Sequence, residues 1–164
     1  MHAQTTTVTI RKATAEDVEA MCVLSDQINA QHHAHAPHIF VKHNQRELDR
    51  LFWQASFQAA HTCALLACQD GKVIGFITVS WHENMTIPFL YCRRICRIGT
   101  IVVLDQHQQK GVGRMLMDAA TAWGREHQAA EVRLEVFDFN QNAMSFYRAQ
   151  GYGVQSHIMS KALD

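Results

Sequence analysis

The 164-residue chain is 48% hydrophobic and 18% charged, and its fifteen Lys and Arg balance fifteen Asp and Glu. Such a chain suits one globular domain burying about two-thirds of its unfolded surface, with no global field to draw in nucleic acid or an anionic membrane. Cys22, Cys63, Cys68, Cys92 and Cys96 form no CxxC pair or metal-finger spacing, and no run of about eighteen apolar residues occurs, so a cytoplasmic domain with free thiols is expected.

The opening "MHAQTTTVTIRKAT" carries no apolar stretch behind a basic region, and its "TTVTIRKA" alternates as a first strand. Thr14 and Asp17 then have the spacing of a helix cap ahead of Val18, Met21, Cys22 and Leu24. A second helix is predicted over "QRELDRLFWQASFQAA", with Leu48, Leu51, Phe52, Ala55 and Ala59 at helical spacing. "TCALLAC" and "KVIGFITVSW" read as a hairpin turning at Gln69, Asp70 and Gly71. "ICRIGTIVVL" ends in an unbroken apolar run, which places it at the centre of a sheet, covered on both faces. Val112, Leu116, Ala119, Ala120, Trp123 and His127 mark one stripe of a long helix. "EVRLEV" is a further strand, "QNAMSFYRAQ" a short helix closed by Gly151, and "YGVQSHIMS" a last strand. Pro37 and Pro88 stand alone and no repeat or linker interrupts the chain, so the order is mixed α/β with a strand-helix-strand unit over roughly residues 97 to 137.

Between that central strand and the long helix lies "DQHQQKGVGRMLM". A helix that begins in a glycine-rich loop leaves its first backbone N–H groups unpartnered and aimed at one spot, where the helix dipole adds positive potential. Gly111 and Gly113 let a phosphate approach the main chain, and Lys110 and Arg114 add charge at the rim. The loop lacks the first glycine and the Lys-Ser/Thr pair of a mononucleotide P-loop, and Leu116 stands where a dinucleotide fingerprint needs its third glycine. A helix cap that uses glycine only to turn is the alternative.

Gln108-Gln109-Lys110-Gly111-Val112-Gly113 resembles the Q/R-x-x-G-x-G/A loop of the GNAT superfamily of N-acetyltransferases. Asn140, Ala143, Phe146, Tyr147, Gly151 and Tyr152 resemble that superfamily's N-x-x-A-x-x-F-Y-x-x-x-G-F/Y block. The resemblance implies a single α/β domain, a mixed sheet of six to seven strands with splayed central parallel strands, flanked by about four helices and binding acetyl-CoA at the splay. It implies that the pyrophosphate rests on Gln108, Gln109, Lys110, Gly111, Val112, Gly113 and Arg114. The pantetheine would pair with the backbone of Ile101, Val102 and Val103, and Asn140 would reach the cosubstrate.

Acetyl transfer to an amine needs one proton removed from the amine and one supplied to the departing thiolate. The resemblance assigns the second to Tyr147, whose other reading is a core aromatic beside Phe146. Many relatives carry a glutamate on the central strand, whereas "RIGTIVV" offers only Thr100; Glu83, with His82 and Glu135, or a chain of waters, is the candidate base. His32, His33, His35 and His38 cluster without an acidic or cysteine partner at ligand spacing, so no metal is expected. Relatives carry a similar HH-x-x-x-P-x-x-F stretch on the acceptor side, which makes His33, His38 and Phe40, with Glu83, candidates for substrate contact. Trp53, Phe57 and Trp81 fit an apolar acceptor wall or the core equally, and "QSHIMSKAL" resembles the end of aminoalkylphosphonate N-acetyltransferases. The function expected is acetyl-CoA-dependent transfer to a primary amine of a small molecule or peptide, from a monomer or homodimer. A non-catalytic acyl-CoA-binding regulatory module is the rival.

Overall fold

A computed structural model of the protein describes residues 7–42 and 45–163. They form two compact units, one running through Leu134 and one from Glu135 onward. The first unit carries strands β1 (Thr9–Lys12), β2 (Thr62–Gln69), β3 (Lys72–Glu83), β4 (Arg94–Val103) and β5 (Glu131–Arg133) with helices α1 (Val18–His35), α2 (Arg46–Gln58) and α3 (Val112–Glu126). The second carries α4 (Gln141–Arg148).

The strands lie in the order β1-β2-β3-β4-β5, antiparallel except for β4 and β5, which run parallel. The crossover connection through α3 is what lets the last pair run parallel, as the strand-helix-strand reading requires. Among the described residues four helices match the expected count, and five strands stand where six or seven were expected. "EVRLEV" pairs only over its first three residues, and "YGVQSHIMS" is not in a strand.

Asp17 fixes how the chain leaves β1. Its carboxylate accepts from Arg11 at 2.7 and 2.8 Å, from Thr14 N at 2.8 Å and from Thr14 Oγ1 at 3.0 Å. Those donors hold the buried carboxyl down to a pKa of about 2, the Arg11 hydrogen bonds contributing most. The predicted cap is therefore present, tightened by an arginine from the preceding strand.

One face of the sheet packs Leu66, Phe76 and Val102 against Met21, Leu24 and Trp53 of α1 and α2. Trp53 meets Phe76 edge-on at 5.0 Å and donates its indole N–H to Ser25 Oγ at 3.2 Å, so it belongs to the core. Leu48, Leu51 and Phe52 of α2 are exposed, so the apolar spacing predicted the helix but not the face it buries. On the other face Gly124 of α3 lies against Cys96: a Cβ at Gly124 would come within 3.0 Å of the Cys96 Cβ. Glycine there lets α3 approach the sheet closely, with Leu116, Met117, Ala120 and Trp123 buried along it.

β4 changes face part-way. Val79 pairs with Ile98 and Thr78 with Thr100, which leaves Gly99 as an extra residue, a β-bulge. Cys96 and Ile98 therefore share the face of Val79, while Thr100 and Val102 share the face of Phe76 and Thr78. A Cβ at Gly99 would lie 2.9 Å from Thr78 Oγ1, the atom that accepts the Thr100 N–H at 3.0 Å. Beyond the bulge only Val102 is buried, whereas Thr100, Ile101 and Val103 are half-buried, so the apolar run at the end of "ICRIGTIVVL" is fully covered on one face and not on both as expected.

Candidate active site

The sheet opens where the bulge ends. β5 pairs with β4 only at Ile95↔Glu131, Cys96↔Val132 and Arg97↔Arg133. Beyond Arg97, β4 keeps β3 on one side and has no strand on the other among the described residues. Successive residues of a strand send their backbone groups to alternate sides. Leu104 N–H points to β3, donating to Ile74 O at 2.9 Å, and Thr100 N–H points the same way. Ile101 consequently presents its N–H and C=O, and Val103 its N–H, to the side without a strand, where an extended amide can pair with them.

The loop follows directly. A 3-10 turn over Asp105–His107 leads to Gln109, whose φ is +58°, and to Gly111, whose φ is +83°. Gly111 is the N-cap of α3, and the first helical bond runs from Met115 N to Gly111 O at 3.0 Å. The N–H groups of Val112, Gly113 and Arg114 precede that bond and so converge ahead of the helix without intrahelical acceptors. No side chain caps this end, and nothing lies within 4 Å of where a Gly111 Cβ would be, so the space above the amides is open. Lys110 and Arg114 are exposed beside it; Arg114 lies 4.0 Å from Asp118. Gln108 turns back instead, donating to Val103 O and Asp105 Oδ1, both at 3.0 Å. The structure thus brings Ile101, Val103 and Gln108 through Arg114 to one end of β4.

Of the other candidates in the first unit, Trp81, His82 and Glu83 lie toward the opposite end of β3. Glu83 pairs with Arg94 at 2.8 Å, about 16 Å along β3 from the Thr78↔Thr100 position. Arg94 also stacks over Trp81 at 3.8 Å and donates to His127 O, which makes this a structural knot of charge and ring. His82 Nε2 and Ser80 Oγ share a hydrogen bond at 2.8 Å. Phe57 packs on the core. At the end of α1, His33 Nδ1 donates to Phe40 O at 2.7 Å, and the His32 and Phe40 rings lie 4.6 Å apart. Burial, and then His35, lowers the His32 pKa, while His38 is exposed. Among the described residues no three His, Cys, Asp or Glu side chains gather as a metal site, and no helix is long and apolar enough to cross a membrane.

In the second unit, Asn140 caps α4, its Oδ1 accepting from Ala143 N at 3.1 Å, so its NH2 is the donor left to offer. Tyr147 lies between Phe146 and Tyr152, with ring centroids 5.4 and 6.0 Å away. Burial, with Tyr152 adding, pushes its phenol up to about 12, so it stays protonated at every working pH.

Residues 25–152 match the family model of the acetyltransferase (GNAT) family. The chain belongs to this family. Over 86 residues it is 35% identical to the streptothricin acetyltransferase of Streptomyces lavendulae, a match covering 51% of this chain and 40% of that enzyme. The chain therefore aligns with less than half of that curated relative's length. The BH1408 protein of Bacillus halodurans, solved as a point mutant, superposes with a TM-score of 0.89 at 26% identity, over 94% of this chain and 99% of that one. An aminoglycoside N-acetyltransferase solved in complex with CoA shares the fold, with a TM-score of 0.80 at 18% identity over 99% of each chain. Two features of this GNAT chain lay outside the sequence reading. An isolated glycine inside a strand pattern is a recognised bulge signal, so Gly99 was legible in principle. Gln27, which bonds to Val103 and Asp105 from α1, carried no local signal at all.

Proposed function

We propose that the protein is an acetyl-CoA-dependent N-acetyltransferase that acts by direct transfer to a primary amine of a small molecule. The observation that carries this reading is the pairing of two features at one end of β4: outward-facing amides at Ile101 and Val103, and convergent N–H groups at the start of α3. The first suits the amide-bearing arm of acetyl-CoA and the second its pyrophosphate, with Gln108, Gln109, Lys110, Gly111, Val112, Gly113 and Arg114 around the phosphates. Asn140 offers its NH2 to the cosubstrate.

In the reaction the amine nitrogen attacks the thioester carbonyl carbon, and the oxyanion that forms is held by backbone N–H groups of β4. The C–S bond then breaks, the acetamide is left on the acceptor, and the thiolate takes the Tyr147 proton. Burial keeps the Tyr147 phenol protonated, so a proton is in place for the departing thiolate, and the phenolate regains one from water. Glu83 is ion-paired with Arg94, so the amine's proton leaves through water. The acceptor side is assigned to His33, His38 and Phe40. A small-molecule acceptor is favoured because the streptothricin and aminoglycoside enzymes are named for small polyamines.

The test is release of CoA, read as free thiol, from acetyl-CoA and a panel of small amines, polyamines, aminophosphonates, aminoglycosides and peptides. Turnover with a small amine supports the reading. Turnover with peptides alone would overturn the acceptor class, and absence of acetyl-CoA binding would overturn the activity.

A further inference from the structure

The upper end of β4 is finished by a side chain. Gln27, half-buried on α1, donates from Nε2 to Val103 O at 3.1 Å and accepts at Oε1 from Asp105 N at 3.1 Å. These two backbone groups flank Leu104 and face away from β3. They are the pair that one residue of a parallel neighbouring strand would engage, donating to the residue before and accepting from the residue after. The Gln27 amide therefore occupies the ladder position that β5 would fill opposite Leu104 had it continued.

Val103 O also accepts from Gln108 at 3.0 Å, so both lone pairs of this carbonyl are engaged by glutamine amides. It has nothing to offer a ligand. Of the groups on the open edge, Ile101 N–H, Ile101 C=O and Val103 N–H are those a cosubstrate amide can use. The same clamp sets where Asp105 begins the turn into the phosphate loop.

We propose that Gln27 is a positioning residue for acetyl-CoA: its amide ends the open ladder at Leu104 and so fixes the spacing between the pantetheine-pairing edge and the pyrophosphate loop. This rests on the cosubstrate reading given above. It adds that α1, whose end carries His33, is tied to the cosubstrate site through one side-chain amide.

Gln27→Glu keeps the shape and the acceptor for Asp105 N–H but sets a carboxylate against Val103 O, where a donor is required. Calorimetric titration with acetyl-CoA should show about tenfold weaker binding near pH 7.5, while the thermal midpoint stays close to that of the parent. Toward about pH 5 the introduced carboxyl gains a proton and can donate again, so the deficit should shrink relative to the parent at the same pH. A purely structural role predicts no such recovery. Gln27→Leu, which removes donor and acceptor together, should bind about tenfold or more weakly at both pH values. Parent protein that binds acetyl-CoA, with both variants binding equally well, would overturn the role of Gln27 alone. Parent protein that does not bind would overturn the cosubstrate reading and this proposal with it.

Discussion

β4 is one strand with two chemistries. From Arg94 to Ile98 it is a conventional interior strand: β3 pairs on one side, β5 pairs as far as Arg97, and Arg94 is locked by Glu83, Trp81 and His127 O. From Thr100 to Val103 it keeps β3 alone, and its outward groups at Ile101 and Val103 meet no strand. Gly99 divides the two. The lower half satisfies its polar groups within the protein and so contributes stability. In the upper half the Ile101 N–H and C=O and the Val103 N–H have no strand partner among the described residues, a state that is costly unless water or a ligand completes it. On the proposed function, this unfinished pairing next to a bulge is the working end.

That contrast can be broken from either side. The largest effect expected is Gly111→Asp. A residue with φ near +83° is strained for any L side chain, and the new carboxylate would stand among the N–H groups proposed to hold phosphate. Acetyl-CoA affinity should fall by about a hundredfold or more, with about 1 kcal/mol of folding stability lost to the strained φ, as calorimetry and thermal unfolding would show. Tyr147→Phe should lower turnover about a hundredfold, at the low end for loss of a general acid, with acetyl-CoA affinity within about twofold. Unchanged turnover would make Tyr147 a packing residue.

Gly99→Val attacks the divide itself. Its Cβ would press on Thr78 Oγ1 and dislodge the bond to Thr100 N–H, weakening acetyl-CoA binding about tenfold and stability by about 1–2 kcal/mol. Arg94→Gln acts on the lower half only. It loses the Glu83 pair and the Trp81 contact, for about 1 kcal/mol of stability with acetyl-CoA affinity unchanged. A loss of affinity there would show that the halves are coupled.

The smallest effect on acetyl-CoA binding lies at the first strand, whose effect on stability is read in acid. The Asp17 carboxyl is depressed from its ordinary 3.8 to about 2, so its stabilisation is complete above about pH 4 and disappears as pH falls through about 2. Asp17→Asn should remove that part of the acid limb in a thermal unfolding series and leave acetyl-CoA binding near neutral pH intact.

The glycine-rich loop was legible because its chemistry is local: residues 108–114 supply turn, helix start and charge in one stretch. The hairpin was legible from its strands and the turn at Gln69, Asp70 and Gly71, and α3 from period alone. The bulge at Gly99 was missed because a run such as IVV reads the same whether a strand alternates or shifts by one residue. The early stop of the β4–β5 ladder is invisible in "EVRLEV", whose alternation continues past Arg133 although its pairing does not. Trp53 displaced the predicted apolar stripe of α2 because its indole N–H finds Ser25, a partner 28 residues away. Gln27 lies 76 residues from Val103, and only the folded chain joins them.

The most direct test of the central account is a backbone amide NMR titration of the protein with acetyl-CoA. The account predicts that the Ile101 and Val103 amides and those of Gln109 through Arg114 shift most and gain protection from exchange, while Ile95 through Ile98 hardly move. Shifts concentrated on the lower half of β4, with the upper edge and the loop unperturbed, would contradict it.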